Sequence, residues 1–486
     1  MLNPRRICRL AVLLAVLVLP FLSTSAFGST AQLAGVQGHM LWGSVSTAQM
    51  DEQLNSVQES GAAVLRVDVG WGSLQQDSAS SYESWYLARL DLLVEGAQAR
   101  GIKLLLTLQG TPCWASSAPE SLKQGCTGAW WERGVQTYAP TNPATYATAL
   151  AFLVKRYQQR VYAWEIWNEP NLAEFWKAAE PAAAYVSLVK AAYPAAKAAD
   201  PLTTIVAGAV SQSDYEFTEK LYADGIKGYF DAFSIHPYSE NADPNAARSN
   251  ARYSFADGVP KIREVMLANG DSSPLWITET GYSTSTTRNG PAWTDGVSET
   301  EQAQFISEQA KLIKKWPYVA VSIWYELEDE ENNPSSLLSS YGLLHYGGSP
   351  KLGWGAFVAA VASIQGESPE PETELSPPAP GESSSEGSPS GGSLTEAGGN
   401  PTPPTTGSPT PPTGNAPTGG SPTPIGKAPV PVKEQNHHNK TVARSAKQRV
   451  KHNTAKARAA GARAKAAKVS RSKRADRRPQ SHRHGG

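Results

Sequence analysis

From residue 36 to about 365 the chain repeats one pattern: a short apolar run, then a longer stretch whose apolar positions recur every three or four residues. The short runs cover 36–42, 63–69, 103–108, 162–167, 203–207, 232–235, 275–278 and 320–324, and their length and β-branched content predict strands. The longer stretches, among them 81–100, 143–160, 182–199, 214–225, 252–267 and 299–315, predict helices, and a last helix is expected near 351–364. Eight strands, each followed by a helical stretch, predict an α/β chain folded as a (β/α)8 TIM barrel. An open doubly wound sheet is the alternative, but no glycine-rich phosphate loop follows the first strand.

The ends of the chain do not share this pattern. Arg5, Arg6 and Arg9 precede an apolar run from Leu10 to Leu22, and small residues follow through Ala31. That order predicts a secretory signal over 1–31 with cleavage between 26 and 31. The run is shorter than the roughly 20 residues needed to span a bilayer, so a secreted or cell-surface protein is expected, with no membrane span after signal removal. Cys8 leaves with the signal. Cys113 and Cys126 remain, in one loop and with no His or Cys cluster beside them, and in an oxidising compartment they are expected to form a disulfide.

Beyond the barrel, residues 366–426 are rich in Pro, Gly, Ser and Thr and are expected to be a disordered linker. Residues 427–486 carry 18 Lys or Arg against 2 acidic residues, a charge of +16. Because the whole chain sums to zero, the remainder carries −16. A disordered basic tail of this kind should bind anionic cell-wall or extracellular polymers. Nucleic acid would attract it by the same physics, but export makes that partner the less fitting one.

Candidate chemistry lies at two strand ends. Trp164-Glu165-Ile166-Trp167-Asn168-Glu169-Pro170-Asn171 places a carboxylate in an Asn-Glu-Pro turn, and Leu275-Trp276-Ile277-Thr278-Glu279-Thr280-Gly281-Tyr282 places a second one. Glycoside hydrolysis needs such a pair, one group to protonate the leaving oxygen and one to attack or to activate water. With these motifs in their order, residues 32–365 resemble the clan A glycoside hydrolases, which are (β/α)8 retaining glycosidases. Trp167-Asn168-Glu169-Pro170-Asn171-Leu172, followed by Phe175-Trp176, is most similar to family 39, which includes β-xylosidases and iduronidases. Family 5, which is cellulase-like, is the second match through the Asn-Glu-Pro core.

The resemblance implies roles. Glu169 would be the general acid/base and Glu279 the nucleophile. An acid must hold its proton, which apolar walls such as Trp167 and the partner's charge would favour, whereas a nucleophile needs donors and cations. Asn168 would hydrogen-bond the 2-hydroxyl of the reacting sugar. His236 and Tyr238 would enter the site after the sixth strand, with the Tyr hydroxyl on Glu279. Arg66 on the second strand would lie beneath the nucleophile; an interior ion pair with Asp68 or Glu165 is the other reading of it, and both can hold at once.

Trp324 resembles the clan's stacking tryptophan beneath the reacting sugar. Trp42, Trp71, Trp114 and Trp176 also fall near strand ends, where indoles stack on sugar faces or simply pack the barrel. His39 and Gln109, at the ends of the first and third strands, are candidates for binding hydroxyls. The run Glu326-Leu327-Glu328-Asp329-Glu330-Glu331 would repel acidic sugars, which favours a neutral polysaccharide or oligosaccharide. The loop holding Trp114, Trp130 and Trp131 is a candidate substrate wall. No cofactor is implied, and no loop has calcium-site spacing. The competing function is a non-catalytic carbohydrate-binding barrel held at the cell surface by its basic tail.

Overall fold

The structure, a computed structural model, describes residues 31–288 and 295–366. The expected signal, as far as residue 30, the expected linker from 367 and the basic tail lie outside the described residues. In chain order the elements are β1 (Leu33–Gln37), α1 (Thr47–Glu59), β2 (Val64–Gly70), α2 (Trp71–Leu74), α3 (Ser84–Ala99), β3 (Lys103–Gln109), α4 (Glu120–Lys123), α5 (Pro143–Arg156), β4 (Ala163–Ile166) and α6 (Pro181–Ala199). They continue with β5 (Thr204–Ser211), α7 (Tyr215–Ala223), β6 (Ala232–His236), α8 (Phe255–Ala268), β7 (Leu275–Thr280), α9 (Glu299–Lys314), β8 (Val319–Trp324) and α10 (Leu352–Gly366). Every neighbouring pair of strands is parallel and β1 pairs with β8, so the sheet closes into a (β/α)8 barrel. Among the described residues, no helix is long and apolar enough to cross a membrane.

β1 and α1 differ from the sequence pattern, as does β5, which runs to Ser211, four residues past its expected end. β1 begins earlier and ends at Gln37, because residues beyond it turn: the Trp42 N–H donates to the His39 carbonyl at 3.0 Å. His39 therefore does not end the strand; it stands two residues past it. Helix α1 has no counterpart in the predicted set. It buries only Met50, Leu54 and Val57 on one stripe and is polar elsewhere. Its signal was at its start, where Ser46 and Gln49 form a capping box.

The interior of the barrel is layered, because residues two apart on a strand point the same way. Val64, Leu105, Ala163, Val206, Ala232, Trp276, Val321 and Ile323 form one apolar cluster inside the sheet. Two residues further on, β2, β3, β4, β6 and β7 present Arg66, Thr107, Glu165, Ser234 and Thr278, all fully buried. The barrel thus has an apolar floor with a polar layer directly above it, toward the C-terminal strand ends where barrel sites are built. The intervening positions face the helices and join the larger core between sheet and helices.

β5 departs from regularity in a way that bears on the site. Its register with β6 shifts between Ala207 and Val210. Gly208 sits at φ +123° and Ala209 at φ +44°, conformations that a regular strand does not use.

Candidate active site

Arg66 organises the polar layer. It is fully buried, and its fork donates to four side chains, on β1, β4, β7 and the turn after β4. Nε reaches Glu165 Oε2 at 2.8 Å, Nη1 reaches Glu279 Oε1 and Gln37 Oε1 at 2.6 Å each, and Nη2 reaches Asn168 Oδ1 at 3.0 Å. A guanidinium only donates, so the Asn168 atom it meets is the amide oxygen, and the amide N–H groups remain for another partner. Burial opposes the charge on Arg66, but Glu165, Glu279 and Asp68 outweigh it and raise its pKa above the ordinary value. Both sequence readings of Arg66 hold together: it is a barrel-interior ion pair and it lies against Glu279.

The two candidate carboxylates meet across His236. Its Nδ1 is 3.1 Å from Glu169 Oε1 and 3.6 Å from Glu279 Oε2, and its Nε2 is 3.1 Å from Thr278 Oγ1. Oxygen atoms of Glu169 and Glu279 and a nitrogen of His236 all lie within 4.8 Å of one another. Burial disfavours the imidazolium, yet Glu279 and Glu169 together raise the pKa of His236 above its ordinary value. The Tyr238 hydroxyl donates to Glu279 Oε2 at 2.7 Å. Burial and then the Glu279 charge push that hydroxyl well above its ordinary pKa, so it remains a donor. Each oxygen of Glu279 thus faces a fixed donor, Arg66 on one and Tyr238 on the other.

Backbone geometry delivers Glu169. After β4 the chain leaves the strand at Trp167 with φ +67°, and Glu169 itself sits at φ +45°. Non-glycine residues rarely adopt that region and hold it only when their surroundings fix them. Here the Glu169 N–H donates to the Ala209 carbonyl at 3.0 Å, on the irregular stretch of β5.

The aromatic expectations are largely corrected. Trp324 alternates with the inward Val321 and Ile323 and so faces the helices. Its Nε1 donates to Gln309 on α9 at 3.0 Å and its ring packs on Phe357 of α10. Trp176 is buried beside Trp167 and Tyr185, with Nε1 on the Pro181 carbonyl at 3.0 Å. Trp167 donates to the Phe175 carbonyl and is part of this packing. Trp71 is fully buried, and Trp114 is tied to the Gln75 carbonyl. Trp130 is buried whereas Trp131 is exposed, and Cys113 and Cys126 are joined as expected.

Trp42 stacks on His39 at 4.0 Å, and His39 Nε2 is 2.7 Å from Glu326 Oε2. Both are half-buried, as is Gln109 at the end of β3. The acidic run after β8 divides: Glu328 is tied to Gln53 and the Gly347 N–H, and Asp329 pairs with the buried Lys351 at 2.7 Å. Glu326 and Glu330 lie toward His39.

Two residues of the site were not singled out from sequence, and a third was named there only as an ion-pair partner for Arg66. Tyr325, the inward neighbour of Trp324, meets Tyr341 at 5.5 Å and Tyr238 at 6.5 Å. Tyr341 meets Tyr238 at 5.9 Å, and burial, then Glu169 and Glu279, raise its hydroxyl pKa. Glu165 is the third. The period-2 alternation carried the signal for Tyr325 and Glu165; nothing local marked Tyr341. Among the described residues, Glu169, His236 and Glu279 form one set of close ligand atoms and His39, Glu326 and Glu330 a second.

Comparisons with known proteins agree with this fold. The barrel is similar to a family 39 glycoside hydrolase from Bacteroides cellulosilyticus, with 20% identity, a TM-score of 0.54, and coverage of 69% of this chain and 65% of that one. It is similar to a β-xylosidase from Caulobacter crescentus at 21% identity and TM-score 0.51, covering 68% of this chain and 67% of that one. It is also similar to a family 5 enzyme from Streptomyces cattleya solved with Manβ1-4GlcNAc, at 18% identity and TM-score 0.54, covering 71% and 84%. These likenesses carry the fold, and the chain spans 65% of the length of the first. A comparison with curated proteins finds no match. The family model that matches is that of the second of the two families suggested by the motifs, over residues 24–324. That match takes in all eight strands and more than half of the chain, which therefore belongs to the cellulase family, glycosyl hydrolase family 5.

Proposed function

We propose that the barrel is the catalytic domain of a secreted retaining glycoside hydrolase acting on O-glycosidic bonds of a neutral polysaccharide or oligosaccharide. The observation that carries this reading is the approach of Glu169 and Glu279 oxygens to within 4.8 Å of each other. Retaining enzymes hold their carboxyl groups about 5–5.5 Å apart, and inverting ones about 6.5–9.5 Å, to admit a water.

In the first step a Glu279 oxygen attacks the anomeric carbon, the bond to the leaving oxygen breaks, and Glu169 gives that oxygen its proton. In the second, the Glu169 carboxylate takes a proton from water, the water oxygen attacks the same carbon, and the ester bond to Glu279 breaks. Both carboxyl groups return to their starting states. Arg66 and Tyr238 hold Glu279 ionised and oriented for attack. With its oxygen on Arg66, Asn168 offers N–H donors to a sugar hydroxyl.

A neutral substrate is favoured because Glu326 and Glu330 add negative charge beside His39. The Caulobacter relative is named a β-xylosidase and the Streptomyces relative holds Manβ1-4GlcNAc, both consistent with neutral β-linked sugars. The basic tail would hold the enzyme on anionic envelope polymers, and salt-sensitive retention lost on truncation after Ile425 tests that role.

The test of the enzyme itself is mass spectrometry after exposure to a panel of 2-fluoro-glycosides. A stable adduct on Glu279, absent in Glu279→Gln, is expected, and the reagent that labels names the sugar. Saturable polysaccharide binding with neither adduct nor turnover would favour the carbohydrate-binding barrel.

A further inference from the structure

We propose that Glu165, which no substrate can reach, is a positioning residue that couples the two carboxylates, holding Glu279 through Arg66 and Glu169 through Ser234 and the Ala209 peptide. The inference rests on the reading of Glu169 and Glu279 as acid/base and nucleophile.

Glu165 is fully buried on β4, four residues before Glu169. Its Oε2 accepts from Arg66 Nε and from Thr107 Oγ1, both at 2.8 Å, and its Oε1 accepts from Ser234 Oγ at 2.8 Å. The direction of the Ser234 link is forced. An ionised carboxylate only accepts, so the single Ser234 proton goes to Glu165 and the hydroxyl oxygen is left to accept. What it accepts is the Ala209 N–H, at 2.8 Å. Ala209 stands at φ +44° on the irregular stretch of β5, and its carbonyl takes the Glu169 N–H at 3.0 Å. One carboxylate therefore fixes both peptide groups of Ala209, and through them the backbone of the acid.

The other arm is electrostatic. Burial works against the Glu165 charge, but Arg66 and then His236 hold its pKa below the ordinary carboxylate value. The charged groups around it are Arg66 and Asp68 on β2, His236 on β6 and Glu279 on β7, and Tyr146 and Tyr185 of α5 and α6 also feel its field. With Glu165 ionised, Arg66 is shared between two anions. With it neutral, Arg66 would bear mainly on Glu279, and His236 would lose a stabilising anion. A bare counter-ion for Arg66 would not need the Ser234 and Ala209 arm.

The experiment compares Glu165→Gln and Ser234→Ala with wild type in full pH profiles of kcat/KM, using an aryl glycoside of the sugar that labels the wild type. Unfolding temperatures identify variants that fold. In Glu165→Gln, loss of one negative charge should move both limbs of the profile toward acid by about one pH unit. In Ser234→Ala the limbs should stay, while kcat on an alkyl or sugar leaving group falls about a hundredfold. The first chemical step on the 2,4-dinitrophenyl glycoside, read as kcat/KM, should persist in that variant, because its leaving group needs no proton. A folded Glu165→Gln enzyme with unmoved limbs overturns the proposal, as does a Ser234→Ala enzyme whose kcat/KM is equally impaired on both leaving groups. If Glu165→Gln does not fold, the Ser234→Ala comparison decides alone. A wild type silent on every glycoside and polysaccharide overturns the glycosidase reading and this proposal with it.

Discussion

The imidazole of His236 stands between Glu169 and Glu279, with one nitrogen 3.1 Å from the first carboxylate and 3.6 Å from the second. That one nitrogen lies near both of the groups assigned to opposite roles. Its raised pKa arises from both carboxylates at once, so its proton reports the charge state of the pair.

A stability profile follows with a definite sign. The folded His236 binds its proton more tightly than the unfolded chain does, so its contribution is complete below the ordinary imidazole value near 6.5 and is lost as pH rises through the raised folded value. Thermal unfolding of the wild type should therefore show a fall in Tm across that window. The fall should be smaller in His236→Asn; an identical fall in the variant would assign the effect to other groups.

Glu169→Ala should lose about 10²–10⁴ in kcat/KM on substrates with poor leaving groups. Steady-state kinetics with a dinitrophenyl glycoside should show the first chemical step largely preserved, because no proton has to be delivered.

Arg66→Met would leave Glu165 buried without its cation and should destabilise the barrel by roughly 3–5 kcal/mol. Denaturant unfolding measures it. A loss of activity with unchanged stability would limit Arg66 to catalysis and contradict its role in the interior ion pair.

Trp324 and Tyr325 should separate cleanly. Trp324→Ala removes an indole packed between α9 and α10 and should cost roughly 3–5 kcal/mol of stability, with KM little altered in the folded fraction. Tyr325→Ala should leave Tm nearly unchanged and raise KM about tenfold, the effect of losing one aromatic face worth about 1–1.5 kcal/mol.

That pair also shows how far the sequence could be followed. The barrel was legible because each strand is a compact apolar run between helical stretches, and the carboxylates were legible because Glu169 and Glu279 interrupt such runs near their ends. Arg66, Asn168, His236 and Tyr238 were implied by the family resemblance, and the structure brings them together around Glu279 or Glu169. Trp324 was misplaced because residue type outweighed parity: Val321 and Ile323 point inward, so position 324 points out and 325 in. Trp176 erred for a related reason, since a tryptophan beyond a strand end can equally seal the helix layer. Tyr341 sits far along a loop whose path no local pattern gives. The link from Glu165 to Ala209 depends on an irregularity in β5 that only the backbone reveals.

The apolar floor beneath the polar layer has an electrical consequence. Val64, Leu105, Ala163, Ala232 and Trp276 occupy the positions two residues before the buried polar groups, and the Trp276 ring is stacked with Tyr162 at 5.7 Å. Water is thereby kept from the underside of Arg66 and Glu165, and charges that would be muted in solvent act on one another at far lower effective dielectric. The floor is an insulating plate for the chemistry above it. A substitution there that admits water, such as Trp276→Ala, touches no reacting atom, yet it would weaken the field at Glu279 and be recorded as a slower enzyme.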